Sequence, residues 1–245
     1  MRNKTRRQRI KSLLERVLTV APVVGPVALL VVWLTFQHKP GWYRPANLDQ
    51  AGIQRARSQA VLLADSISDQ MVAQEPFDIV LQDRTMTEWL AALPTVWPEV
   101  RDAIPTQITD PAVWFDGGGV RVGAHYTGRA WQAILSVDIV LEVSEDGREV
   151  LIALRDVKGG SLSIPRALLT NRLDRLLREA RAIGDRSDSG VETLLAAVRK
   201  IRSVDALFEG VRIKNRFVWF NGRRPFRIAS IQIDAGALRL HIEPL

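Results

Sequence analysis

From residue 47 onward, apolar side chains recur first every three or four positions and later at every second one. Ile53, Ala56, Ala60, Leu63, Ala64, Ile67 and Met71 define one face of a helix over 48–73, with Asn47 and Gln50 spaced as its capping box. Residues 77–81 alternate as a first strand. Thr85 and Glu88 form a second capping box, which opens a short helix ending at Pro94. From Pro111 the alternation dominates. Residues 112–115 lead into Asp116-Gly117-Gly118-Gly119, which has hairpin-turn chemistry, and 120–127 alternate behind it. Trp131, Ala133, Leu135, Val137, Ile139, Leu141 and Val143 share one face of a long strand. Glu145-Asp146-Gly147 then turns the chain back into 149–157. These strands predict an antiparallel meander with one face buried.

The segment Gly159-Gly160-Ser161-Leu162-Ser163-Ile164-Pro165 closes the meander and starts a helix over 166–181, striped by Leu169, Leu173, Leu176, Leu177 and Ala180. Residues 184–190 read as a polar linker, and 191–203 as a further helix. Three strands finish the chain, over 211–220, 226–234 and 237–243. In the middle one, Phe226 and Ile228 change phase to Ile231 and Ile233, which predicts a bulge near Ala229.

Ahead of all this, residues 17–37 run for 21 positions without a charge, a helix of roughly 31 Å that matches a bilayer core. Residues 1–16 hold seven basic side chains against Glu15 alone, and Trp42 and Tyr43 follow the run like interfacial anchors. The pattern predicts an uncleaved signal anchor: a basic cytoplasmic tail (1–16), a transmembrane helix (17–37), an exit linker (38–46) and an exported domain (47–245). A cleaved signal peptide fits less well, because the run is long and ends without a small-residue pair. The Thr5-Arg6-Arg7 start of a twin-arginine signal is followed by Arg9 where that signal has Phe. The expected location is the cytoplasmic (inner) membrane, single-pass, with a periplasmic domain in the cell envelope.

Charge sharpens this picture. The formal net charge is +7, but the tail contributes +6 of it, so the body is close to neutral and nucleic-acid binding is not expected. Cysteine is absent, which removes disulfides, thiolate metal sites and thiol nucleophiles. No His-x-x-x-His, Gly-x-Ser-x-Gly or Walker pattern occurs. His38, His125 and His241 stand alone, and Asp110, Asp116, Asp138 and Asp156 have simpler roles in turns or on the sheet surface. No catalytic residue, metal site or cofactor is expected. Arg212, Lys214 and Arg216 share one face of a strand, and Arg223, Arg224 and Arg227 cluster at the adjoining turn. Such forks suit a lipid phosphate or a partner's acidic patch, but a solvated outer face that discourages edge pairing is the simpler reading.

With its anchor, exported helix, long meander and Gly-x-Leu-x-Ile-Pro turn into an amphipathic helix, the chain resembles bacterial membrane-anchored proteins of the tubular lipid-binding (TULIP-like) kind, including the YpmS-like group. Gly160, Leu162, Ile164 and Pro165 and the pattern of 120–157 carry the likeness. The resemblance implies a strongly curved antiparallel sheet wrapping a long helix around an apolar groove. The expected fold is therefore α+β, a transmembrane helix followed by one exported domain whose curved sheet packs on long amphipathic helices. The expected function is non-catalytic binding of an apolar or lipid ligand at the membrane surface, in a groove walled by Trp131, Leu135, Val137, Ile139, Leu169, Leu173, Leu176 and Leu177. The alternative is an assembly factor that docks an envelope protein through its sheet edge or basic face, and the third reading, after both, is an envelope hydrolase.

Overall fold

In the computed structural model, residues 30–97, 101, 104–129, 131–169, 204–219 and 224–245 are described. The meander forms as its alternation predicts: β2 (Ile108–Phe115), β3 (Val120–Thr127), β4 (Gln132–Val143) and β5 (Glu149–Gly159), extended by β6 (Leu162–Ser163). A second antiparallel sheet has the order β1 (Phe77–Gln82), β10 (Ala237–Pro244), β9 (Pro225–Asp234), β8 (Phe217–Val218). β7 (Val211–Lys214) pairs with β5 and so belongs to the first sheet. The helices are α1 (Gln50–Ala73), α2 (Asp83–Val96) and α3 (Val204–Glu209).

The two sheets meet through their apolar faces. Val113, Phe115 and Leu238 are buried together, with Val120 and Val122 from one sheet and Ile231 and Ile233 from the other around them, and Met86 and Leu90 of α2 closing the side. Full burial of a ring such as Phe115 contributes roughly 1.5–3 kcal/mol. α1 covers the rest of the second sheet with Ile67 and Met71 against Ile242, on the face its periodicity marks. At one corner the sheets are joined directly, where the Gly236 N–H donates to the Phe115 carbonyl at 3.0 Å.

Local caps depart from the expected boxes. Asp49, not Asn47, caps α1 by accepting the Gly52 N–H at 2.7 Å. At the other end Arg224 donates to the carbonyls of Met71 (3.0 Å) and Val72 (2.9 Å), which the helix leaves unpaired. α2 starts two residues early and continues through Pro94 to Val96, because a proline in the final turn removes little of the hydrogen-bond ladder. Its buried Thr87 hydroxyl accepts the Val113 N–H at 2.9 Å and donates to the Val113 carbonyl at 3.3 Å. The backbone of Val113 on the outer edge of β2 is thereby paired.

The stretch expected as one strand over 211–220 is broken at Asn215. This buried residue donates through Nδ2 to the carbonyls of Gly147 (2.9 Å) and Ile228 (2.7 Å), and its Oδ1 accepts the Ile228 N–H at 2.8 Å. Its amide thus takes the place of a strand partner beside the β9 bulge, where register shifts across the unpaired Ala229 as the phase change predicts.

The fold expectation is corrected in two respects. One strongly curved sheet on long helices is not what forms: the chain divides its strands between sheets of four and six strands, because Asn215 sends β7 to one and β8 to the other. The transmembrane anchor is also overturned. Among the described residues no helix is long and apolar enough to cross a membrane. The helical residues 30–37 make about 12 Å of helix, and the chain there is tied to the meander. The Ser161 N–H donates to the Thr35 carbonyl at 3.1 Å, and Phe36 packs edge-on against Trp131 with centroids 5.2 Å apart. Trp42 and Tyr43 are not interfacial anchors but pack on the sheet. The single-pass, signal-anchor and inner-membrane assignments, which rested on that span, go with it. The expected span's residues 17–29, and the expected helices beyond residue 169, lie outside the described residues.

Replacing Asn215 with Ala leaves partly buried backbone groups of Gly147 and Ile228 without the amide that pairs them. Asn215→Ala is expected to lower unfolding free energy by about 3 kcal/mol, measured by urea denaturation. A loss below about 0.5 kcal/mol would remove Asn215 as the joint between the sheets.

Candidate functional site

The meander's second face carries Ala112, Trp114, Arg121, Gly123, His125, Ile134, Ser136 and Asp138, by strand alternation and register. Residues 38–48 lie across it as a strap. Tyr43 is 3% exposed and packs with Ala112 and Ile134. Its hydroxyl donates to the Asp110 carbonyl at 2.5 Å. Burial, then the Asp110 charge, push this phenol up to about 12 against the pull of the His125 backbone N–H, so it remains a neutral donor. Trp42 lies on Gly123, where an added Cβ would stand 2.6 Å from the indole. Glycine is required there by this close approach.

A charged cluster braces the strap from below. Arg121 forms a two-point ion pair with Asp138, and Lys158 Nζ reaches Asp138 at 3.1 Å and Asp156 at 3.5 Å. The Arg121 guanidinium also sits 5.4 Å from the Trp42 ring and 5.8 Å from the Trp114 ring, and those two rings are parallel within 8°. Burial pushes the Asp138 carboxyl up, but hydrogen bonds from Arg121 and Lys158, with their charges, outweigh it and hold the group below its ordinary value.

Two hollows flank the strap. On one side a cleft of about 820 Å³ opens between the strap, the start of α1 and α2. Trp42 and Trp114 line it with Arg44, Arg55 and Arg84. Arg84 pairs with Glu88 at 3.2 Å on the surface, whereas Arg44 and Arg55 have no ion-pair partner among the described residues. On the other side a pocket of about 300 Å³ is lined by Lys39, Tyr43, Asp110, His125, Gln132 and Ile134. Asp110 has φ 52° at the β2 bulge and directly precedes Pro111. Left-handed backbone at a non-glycine residue costs on the order of 1–3 kcal/mol, and the following proline restricts it further.

The residues expected to form a groove are only partly brought into view. Trp131 packs on Phe36 and Tyr126. Leu135, Val137 and Ile139 are half-buried on β4, as is Leu169 in the helical residues 166–169. Leu173, Leu176 and Leu177 lie outside the described residues. The expected basic face is dispersed. Arg212 pairs with Glu149 at 3.5 Å, Arg227 pairs with Glu243 at 2.6 Å, and Arg224 caps α1. Lys214 and Arg216 are exposed, and Arg223 lies outside the described residues. Of the histidines, His38 shares a hydrogen bond with Ser161 (3.0 Å), and His241 with Asp78 (2.7 Å).

Trp42, Trp114, Arg44, Arg55 and Arg84 escape the sequence reading as a group because they come from the strap, β2 and two helices. No local signal in the sequence joins them. No family model, curated protein or solved structure matches this chain.

Acid should loosen this site. Asp138's folded pKa lies below its ordinary 3.8, so its contribution is present above that value and lost as pH falls through the folded one. Asp78, held low first by the His241 hydrogen bond, and Asp146, held low first by the Ser144 hydroxyl, act in the same sense. Urea unfolding should therefore give a stability that declines below about pH 4, and Asp138→Asn should flatten part of that decline. An unchanged slope in the variant would contradict the ion-pair assignment.

Proposed function

We propose that this is a non-catalytic binding protein whose cleft between the strap and α2 takes an amphipathic ligand with an acidic head, lipid-like in chemistry. The observation that carries the proposal is the pairing of an aromatic floor, Trp42 and Trp114, with arginines at Arg44, Arg55 and Arg84 around one cleft. Its size, about 820 Å³, lies within the ordinary range for small-molecule sites. Indole faces offer apolar contact to a hydrocarbon or ring. Guanidinium forks suit a carboxylate or phosphate, and Arg44 and Arg55 can turn to a ligand without breaking an ion pair among the described residues. The exposed Arg84–Glu88 pair offers little resistance, since such pairs are worth at most about 1 kcal/mol. The proposal keeps the ligand class that the TULIP-like resemblance implies and places it in a different part of the molecule.

Titration with monomeric dodecyl phosphate, followed by tryptophan fluorescence, tests it. A saturable change is expected, with affinity at least tenfold weaker for dodecanol and for the Arg44→Gln/Arg55→Gln double variant, or about 1.4 kcal/mol. Equal affinity for dodecanol, or no response, would overturn the proposal.

A further inference from the structure

The pocket on the opposite side of the strap has a different chemistry from the cleft. Lys39 and His125 supply potential donors to a carboxylate, Asp110 supplies an acceptor for an ammonium group, and Gln132 adds an amide. Ile134 and Tyr43 form an apolar floor, both of them buried. At about 300 Å³ it sits at the small end of ligand sites. The Asp110 carboxylate is held at this pocket by an unusual backbone. Its φ of 52° falls at the β2 bulge, immediately before Pro111, and its carbonyl is pinned by the Tyr43 hydroxyl. Its side chain is further oriented by the Thr109 hydroxyl, which donates to Oδ2 at 3.0 Å. Strained backbone that sets a charged side chain at a cavity wall is a feature of binding sites.

We propose that this pocket is a second binding site, for a small zwitterion of the α-amino acid class, with the ligand's carboxylate toward Lys39 and His125 and its ammonium toward Asp110. Lining groups of both charges beside a small apolar floor distinguish it from a plain anion site, and it stands independently of the cleft. A ligand lacking either charge would leave one side of the pocket without a counter-charge.

Saturation-transfer difference NMR on the full chain with a mixture of the twenty L-amino acids tests the proposal directly. The strongest binder is then compared as its N-acetyl and methyl ester forms. Saturation transfer to at least one free amino acid is expected at millimolar concentration, with at least tenfold weaker binding of both blocked forms. Asp110→Asn and Lys39→Met should each weaken binding at least tenfold while the far-ultraviolet circular dichroism stays unchanged. Asparagine also tolerates a positive φ, so the first variant tests charge rather than backbone, and the second alters only an exposed side chain. Should either variant alter the circular dichroism, the blocked-ligand comparison on the unaltered chain decides. No transfer to any amino acid, equal binding of a blocked form, or folded variants that bind as well as the original would overturn the proposal.

Discussion

The meander of β2–β5 presents residues that must leave water on both of its faces, and the rest of the molecule is arranged to cover them. One face, with Val113, Phe115, Val120 and Val122, is closed by the second sheet and α2. The other, with Ala112 and Ile134, is closed by Tyr43 and Trp42 of the strap. That second cover depends on Gly123, whose bare backbone lets the indole approach this closely. Because the strap is narrow, it leaves hollows on either side. Both proposed ligand sites arise from this single packing arrangement.

The joint between the sheets is as economical. Asn215 satisfies backbone groups of the β4–β5 turn and of β9 with one amide, and Thr87 does the same for the edge of β2 with one hydroxyl. Buried polar groups of this kind make one arrangement of the sheets strongly preferred, since any other leaves several donors and acceptors unpaired. The Arg121–Asp138–Lys158 cluster plays the corresponding part beneath the strap. It binds three strands of the meander and presents a cation near the rings of Trp42 and Trp114, linking the rigidity of the sheet to the floor of the cleft.

Much of the strand pattern was legible because alternation reports burial directly. The meander, the Asp116–Gly119 and Glu145–Gly147 turns, the apolar face of α1 and the bulge at Ala229 all follow from residue order. The break at Asn215 did not, because Val211, Ile213, Phe217 and Trp219 keep the same phase across it, and only the tertiary partners of the amide reveal a corner. The strap was misread for a related reason. An apolar run followed by Trp42 and Tyr43 has the same appearance whether the aromatics meet lipid headgroups or a sheet face, and Gly123, the residue that decides, is some 80 positions further along. The cleft was not legible at all as a site, since Arg44, Arg55, Arg84 and Trp114 converge only once the strap and α2 are in place. The expected groove depended on residues 173–177, beyond those described.

If the strap is an integral wall of the site, the buried Tyr43 N–H, which donates to the Pro40 carbonyl at 3.0 Å, must be protected in the free protein, and its protection must depend on Gly123. Amide hydrogen exchange followed by NMR at Tyr43, in the original chain and in Gly123→Val, measures this directly. Slow exchange at Tyr43 is predicted in the original chain and at least tenfold faster exchange in the variant, with the β4 and β5 amides still protected. Fast exchange at Tyr43 in the original chain, or equal protection in both, would contradict this.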